Sequence, residues 1–360
     1  MSRRLCRHGR LWALPGLLLV AVACAARPGP SPAAGADPAA SSEAPAPSDA
    51  APSAPAPERF TVVGSSQTEL SNFAWSLAVD LGYFRAEGLE PQFVALPSAQ
   101  MVAALLQRDA QYAMDMTGQV SGLLEARGAL PVRLVAVLGA KPQHALLAQA
   151  RYQSIPELKG ATVGVKAAGD TGHRAAKLLW QANGLDPVAD MQPLPIGAEP
   201  ARLASLDTGA LDAAVFTPPA VQRAQALGYR LMGRASDVSD VPQSGIWTLR
   251  DRLDERPAEV QAVVRAVVRA LQFLHQPANR ETVVASISRL LEVEDHVVAE
   301  ALYDGALASV STDGTVPERS IQELIDLQNA QRDTPVALDL AAFTDWGPLH
   351  AAQQDLAASH

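Results

Sequence analysis

The sequence predicts an α/β protein of two lobes, each a mostly parallel sheet flanked by helices, with an α-rich C-terminal part. Three observations carry this. Strand, polar loop and helix recur from residue 60 onward. Phe60-Thr61-Val62-Val63-Gly64 leads through Ser65-Ser66-Gln67-Thr68 to a helix near Glu69. Strand 92–96 leads through Pro97-Ser98-Ala99-Gln100 to a helix from Met101, and strand 111–115 through Met116-Thr117-Gly118-Gln119 to a helix from Val120. Repeated βα units build parallel sheets with helices on both faces. Next, the stretch from Leu106 to Thr117 lies over that from Leu206 to Thr217 without a gap. Each reads as helix end, tight turn, short strand and a threonine at the strand exit. Finally, about 300 residues follow Glu58, too many for one small core.

The chain opens with Arg3, Arg4, Arg7 and Arg10 before an apolar run from Leu11 to Ala23, broken by Pro15 and Gly16. That is the layout of a secretory signal, too short for a membrane-spanning helix. Its end, Leu19-Val20-Ala21-Val22-Ala23-Cys24, is similar to a bacterial lipoprotein signal, with Ala21 where leucine is preferred; cleavage near Ala26 without lipid is the alternative. From Ala25 to Pro57 the chain is almost entirely Ala, Pro, Ser and Gly with a few acids, a composition that buries no core and reads as an extended tether.

Losing residues 1–23 removes four arginines and takes the formal charge from −9 to −13, which argues against nucleic acid or an anionic membrane face as partner. The two cysteines are Cys6 and Cys24, so the folded part is expected to hold no disulfide, zinc site or catalytic thiol.

Leu81-Gly82-Tyr83-Phe84-Arg85-Ala86-Glu87-Gly88-Leu89 places a glycine at the end of one helical pattern (Phe73, Leu77, Ala78, Leu81) and another at the turn into a strand, where positive φ is needed. This stretch resembles the "GYF..EGL" knuckle of periplasmic solute-binding proteins of ABC importers that handle sulfonates, nitrate and thiamine-pyrimidine precursors. Leu158-Lys159-Gly160 with Thr162-Val163-Gly164-Val165 resembles the family's "dLkGk.iGv", which opens the second lobe, and Leu206 to Ala214 its "al..G.vDaa" turn. Together the resemblance covers roughly 60–331. It implies a type II periplasmic binding protein fold, a cleft between lobes at the strand exits, and delivery of a small solute to a membrane permease and its ATPase.

The expected division is 1–23 signal, 24–57 lipidated Cys24 and linker, 58–142 first lobe, 143–249 second lobe, and 250–360 the rest of the first lobe. Gly245-Ile246-Trp247-Thr248-Leu249 reads as the returning strand. From Pro257, Val260, Val263, Val264, Val267, Val268, Leu271 and Leu274 recur at helical spacing. Helices at about 280–291, 294–304 and 318–331 complete this end.

No Gly-x-Ser-x-Gly elbow, phosphate loop, His-Glu-x-x-His or dinucleotide fingerprint occurs. His144, His173, His275, His296, His350 and His360 have no ligand spacing, and no metal or cofactor is expected. Asp80, Asp109 and Asp212 read as turn or cap residues. Candidate ligand-binding residues are Ser65, Ser66, Gln67, Trp75, Ser98, Gln100, Thr117, Gln119, Asp170, Thr171, Thr217 and Trp247. Hydroxyls and amides dominate, and no arginine falls in those loops. Asp170 or Thr171 caps a helix behind Gly169, either with no further role or with its free N–H groups facing a ligand. Trp75, Phe73, Phe216 and Trp247 are either core or a stacking wall.

This set leans towards a small planar or heterocyclic organic solute over an inorganic anion, bound by a non-enzymatic monomer tethered outside the cytoplasmic membrane. The alternatives are an interaction lipoprotein with a blind cleft and a pyrimidine-synthase-like enzyme. That synthase carries a cysteine-rich metal motif, which this sequence lacks.

Overall fold

The computed structural model describes residues 56–358; the signal-like segment, Cys24 and nearly all of the linker lie outside the described residues, as does His360. The chain begins with β1 (Glu58–Gly64), α1 (Phe73–Asp80), α2 (Tyr83–Ala86), β2 (Leu89–Ala95), α3 (Ser98–Leu106), β3 (Tyr112–Met114), α4 (Thr117–Glu125) and β4 (Val132–Gly139). It continues through β5 (Ala145–Ala148), β6 (Ala161–Val165), α5 (Thr171–Ala182), β7 (Met191–Pro195), α6 (Glu199–Asp207), β8 (Ala213–Phe216), α7 (Ala220–Ala226) and β9 (Arg230–Arg234). It then returns through β10 (Ser244–Leu249) to α8 (Arg250–Glu255), α9 (Pro257–His275), α10 (Arg280–Leu290), α11 (His296–Ser309), α12 (Glu318–Asn329), α13 (Leu340–Phe343) and α14 (Gly347–Ala358).

These strands make two five-stranded sheets of the same plan, β2-β1-β3-β10-β4 and β7-β6-β8-β5-β9. In each, the fourth strand is antiparallel to its neighbours and the others run parallel to one another. The reason is connectivity: β5 and β10 are the strands that arrive from the other lobe. A chain leaving one sheet at its cleft end must enter the next running away from the cleft. Ser244–Leu249, which a boundary at 249 would leave with the second lobe, is an inner strand of the first sheet. The edge strands β2 and β7 carry Pro91, and Pro193 and Pro195, which remove ladder donors where a bare edge would invite pairing.

The first sheet is covered on one face by α1, α9, α10, α11 and α14, and on the other by α3, α4, α12 and α13. The valine and leucine stripe of α9 is fully buried, from Val260 to Leu274; each such side chain contributes about 1.5–3 kcal/mol. Arg252 and Arg256 pin Glu259 at the start of α9, and Tyr112 donates to the same carboxylate at 2.9 Å. Gly82 and Gly88 both adopt φ +73°, as the knuckle requires.

The two turn units of the internal repeat superpose, but one residue out of the gapless sequence pairing. Positive φ falls at Arg108 and Gly209, and the helix-end bonds Ala110 N–H to Ala104 O and Leu211 N–H to Ser205 O correspond. Likewise the Gln111 side chain accepts from Thr61 N–H as that of Asp212 does from Thr162 N–H. The gapless sequence pairing rests on Ala110 with Ala210 and Ala113 with Ala213, small residues that do not fix register. Thr217 therefore stands opposite Met116, and Thr117 opposite Pro218.

Candidate functional site

A cavity of about 570 Å³ lies between the sheets, lined by the segments that leave the carboxyl ends of β1, β2, β3, β6, β7 and β8 and by the crossing segments at Gln143, His144 and Gln243. That is where parallel α/β sheets place ligands, because the strand exits and helix N-termini converge there. Seven of the expected residues stand on its wall: Ser65, Ser66, Ser98 and Thr117 from the first lobe, and Asp170, Thr171 and Thr217 from the second. Five do not. Gln67, in an exposed bend, and Gln100, exposed in the first turn of α3, do not line it, and Gln119 is wholly buried, its amide without a partner among the described residues. Trp75 packs against Phe84 with ring centroids 4.6 Å apart, and Trp247 stacks on Phe343 at 5.9 Å. Both rings are fully buried, because each belongs to an element whose inward face covers a sheet, and so they are core.

Two of the helix starts at the cavity, those of α4 and α5, already hold carboxylates of the chain itself, and a third carboxylate holds Thr217. Asp115, 8% exposed, accepts from the N–H groups of Gly118 and Gln119 in the first turn of α4 and from the Ser98 hydroxyl at 3.1 Å. Burial pushes its pKa up to about 6, against the pull of those donors. Asp170 accepts from His173 N–H at 2.7 Å, so it is the cap of α5 that the sequence suggested. Glu199, in the first turn of α6, accepts from both the N–H and the hydroxyl of Thr217.

Sequence reasoning missed Glu69, His144, Lys166, Glu199 and Arg202, all on the wall. No arginine falls in the expected loops, but Arg202, 4% exposed, reaches the wall from α6, a helix of which the sequence reading saw only the end at Leu206. Glu199-Pro200, with proline in the first turn, is the signal that marks that helix. Its guanidinium donates to the carbonyls of Val215 (3.1 Å), Ile196 (2.8 Å) and Gly197 (2.8 Å), tying the exits of β7 and β8 together. His144 Nε2 lies 3.3 Å from the Thr171 hydroxyl. Desolvation lowers the His144 pKa to about 4, with Arg174, Arg202 and Lys166 adding to the fall and Asp170 opposing it. It is therefore neutral at pH 7. The wall thus carries Glu69, Asp115, Asp170 and Glu199 against Lys166 and Arg202. Among the described residues no group of three or more His, Cys, Asp or Glu could hold a metal ion.

The family described as NMT1/THI5 like matches residues 73–279, more than half of the chain. No curated protein sequence matches. Among solved structures, the periplasmic aliphatic sulphonate-binding protein SsuA from Escherichia coli is 17% identical, with a TM-score of 0.63 over 79% of this chain and 91% of that one. The periplasmic nitrate-binding protein NrtA from Synechocystis is 14% identical, with a TM-score of 0.64 over 84% of this chain and 90% of that one. The desulfurization enzyme DszB is 17% identical, with a TM-score of 0.60 over 83% of this chain and all of that one. At these identities the likeness establishes the fold, which serves binding proteins and an enzyme alike.

Proposed function

The chain belongs to the NMT1/THI5-like family, and from that and its cleft we infer that it is the solute-binding component of an ABC importer. The observation that carries the reading is the polar cavity between two lobes joined by two short crossing segments, 140–144 and 235–243. Ser65, Ser66, Ser98 and Thr117 offer one wall, and Asp170, Thr171 and Thr217 the other. A solute touching both walls converts its contact energy into closure about the crossings, and the closed form is what a permease and its ATPase recognise. The ligand is a small organic solute, and the protein works as a monomer outside the cytoplasmic membrane. Cys24 carries the lipid and residues 25–57 hold the folded part away from the bilayer. Cys24→Ser should release the protein from the membrane fraction or stall its processing; unchanged fractionation would remove the lipid anchor from the reading.

The test is a thermal-shift screen of sulfonates, nitrate, carboxylates, amines, pyrimidines and other heterocycles, followed by calorimetry on each hit. Thr171→Ala with Thr217→Ala should weaken a hit far more than the surface change Arg289→Ala. Undiminished binding in the double variant would refute this cleft assignment, and turnover of a hit would make the protein an enzyme.

A further inference from the structure

We propose that the solute of this cleft carries a positively charged nitrogen, an ammonium or a planar amidinium-like group, and that simple oxyanions are excluded. The inference rests on the solute-binding reading and names its ligand class.

The starts of α4 and α5, two of the seats an oxyanion would use, are filled, and the uncapped start of α3 at Ser98 lies beside Asp115, to which Ser98 donates its hydroxyl. A small anion in a cleft of this kind is held by helix N-terminal N–H groups, hydroxyl donors and a guanidinium fork. Here the first-turn N–H groups of α4 are bound by Asp115, and that of His173 in α5 by Asp170. Both donors of Thr217 are spent on Glu199. Arg202 gives Nε and Nη1 to three backbone carbonyls, and its Nη2 lies 3.5 Å from Glu199. An incoming sulfonate or nitrate would meet carboxylates where it needs donors.

Apart from the Lys166 ammonium and the N–H groups at the start of α3, what the wall leaves unspent is acceptors. Among the described residues no hydrogen bond reaches Oδ2 of Asp170, Oε2 of Glu199 or Oε1 of Glu69, and the Thr217 oxygen keeps its lone pairs while it donates to Glu199. Asp170, Glu199 and Glu69 stand on the two lobes, so a cation between them attracts both walls. Lys166 is the wall's remaining cation; its field lowers the Glu69 pKa, though desolvation leaves that pKa raised. Four carboxylates against two cations on the wall and Arg174 beside Asp170 and Asp115, with His144 neutral, leave the cavity negative at pH 7.

The test uses two probes of one shape and opposite charge, benzamidine and benzenesulfonate, with nitrate and n-butylamine as small counterparts, titrated by calorimetry into the folded protein at pH 7.5 and low salt. The cationic member of each pair should bind at least about tenfold tighter, and added salt should weaken it. Glu199→Gln and Asp170→Asn keep the acceptor to Thr217 and the helix cap, so the fold is retained while the charge goes. Each should lower benzamidine affinity about five- to tenfold and together narrow the preference over benzenesulfonate. Tighter binding of benzenesulfonate or nitrate, or benzamidine affinity unmoved by both substitutions, overturns the inference. If the anion binds and Thr171→Ala with Thr217→Ala abolishes that binding, the importer reading stands without this ligand class. If neither probe nor any compound of the wider screen binds, both fall.

Discussion

Glu199 Oε1 accepts two hydrogen bonds from Thr217, one from its backbone N–H at 2.8 Å and one from its hydroxyl at 2.9 Å. A threonine that the sequence offers as a donor to ligand is therefore committed to a carboxylate that local sequence does not pair with it. Thr217 meets a solute as an acceptor, and it fixes the rotamer of Glu199. Thr217→Val keeps the shape and the N–H bond but removes the hydroxyl. It should cost about 1 kcal/mol of stability and weaken binding of any hit, whereas Thr217→Ser should restore binding. Paired calorimetry and denaturant melts separate the two effects; a valine variant with wild-type affinity would show that Glu199 needs no such clamp.

Asp115 and His144 predict opposite pH slopes in one window. The Asp115 pKa is raised to about 6 from 3.8, so its contribution is present below pH 3.8 and is lost as pH rises through 6. The His144 pKa is lowered to about 4 from 6.5, so its contribution is present above pH 6.5 and is lost as pH falls through 4. Between pH 4 and 6 the two oppose each other. Asp115→Asn should therefore gain stability relative to the parent between pH 4.5 and 7.5, and His144→Gln should lose relative stability over the same interval. Urea melts at both pH values check this, and slopes of the same sign in the two variants would contradict the assignment.

Gly118 is tight against the cavity wall. A Cβ there would lie 2.6 Å from the Ser98 carbonyl oxygen and 2.6 Å from Asp115 Oδ2, and the first of these is backbone that cannot rotate away. Helix propensity alone favours alanine by about 1 kcal/mol. The clash opposes that gain, because the first turns of α3 and α4 must separate. Gly118→Ala should destabilise by about 1–3 kcal/mol and move Ser98 and Thr117 enough to weaken binding. A rise in Tm would mean that the two helix starts are not held so closely.

The parts of the fold legible in the sequence are those with a local cause. The knuckle is written by Gly82 and Gly88, which need φ near +73° whatever surrounds them, and α9 by a stripe of valines at helical spacing. β7 and α6 lack such a cause. Met191–Pro195 is an exposed edge with two prolines, and α6 is short and buries little beyond Arg202 and Leu206. Missing β7 and the start of α6, of which only the end at Leu206 was legible, hid Glu199 and Arg202, and with them the charge of the cleft. The polar residues of the wall were legible because hydroxyls and a capping aspartate at strand exits follow from the βα pattern. What those hydroxyls bond to depends on residues up to 27 positions away, as with Thr171 and His144, or Thr217 and Glu199.

Trp75 and Trp247 decide between core and cleft by experiment. Both were open to either reading from sequence, and both are fully buried, Trp75 among Phe60 and Phe84 and Trp247 against Phe343. Neither lines the cavity. Removing such a ring leaves a void that close packing cannot fill, at about 3–5 kcal/mol for alanine and less for phenylalanine. Trp75→Phe and Trp247→Phe should each lower Tm by several degrees while ligand affinity stays within about twofold, since no contact to solute is lost. A ring on the wall would give the reverse pattern, with unchanged Tm and affinity reduced by the lost stacking of about 0.5–1.5 kcal/mol. Melting curves and calorimetry on the two variants give both numbers, and the reverse pattern in either one would move that tryptophan into the cleft.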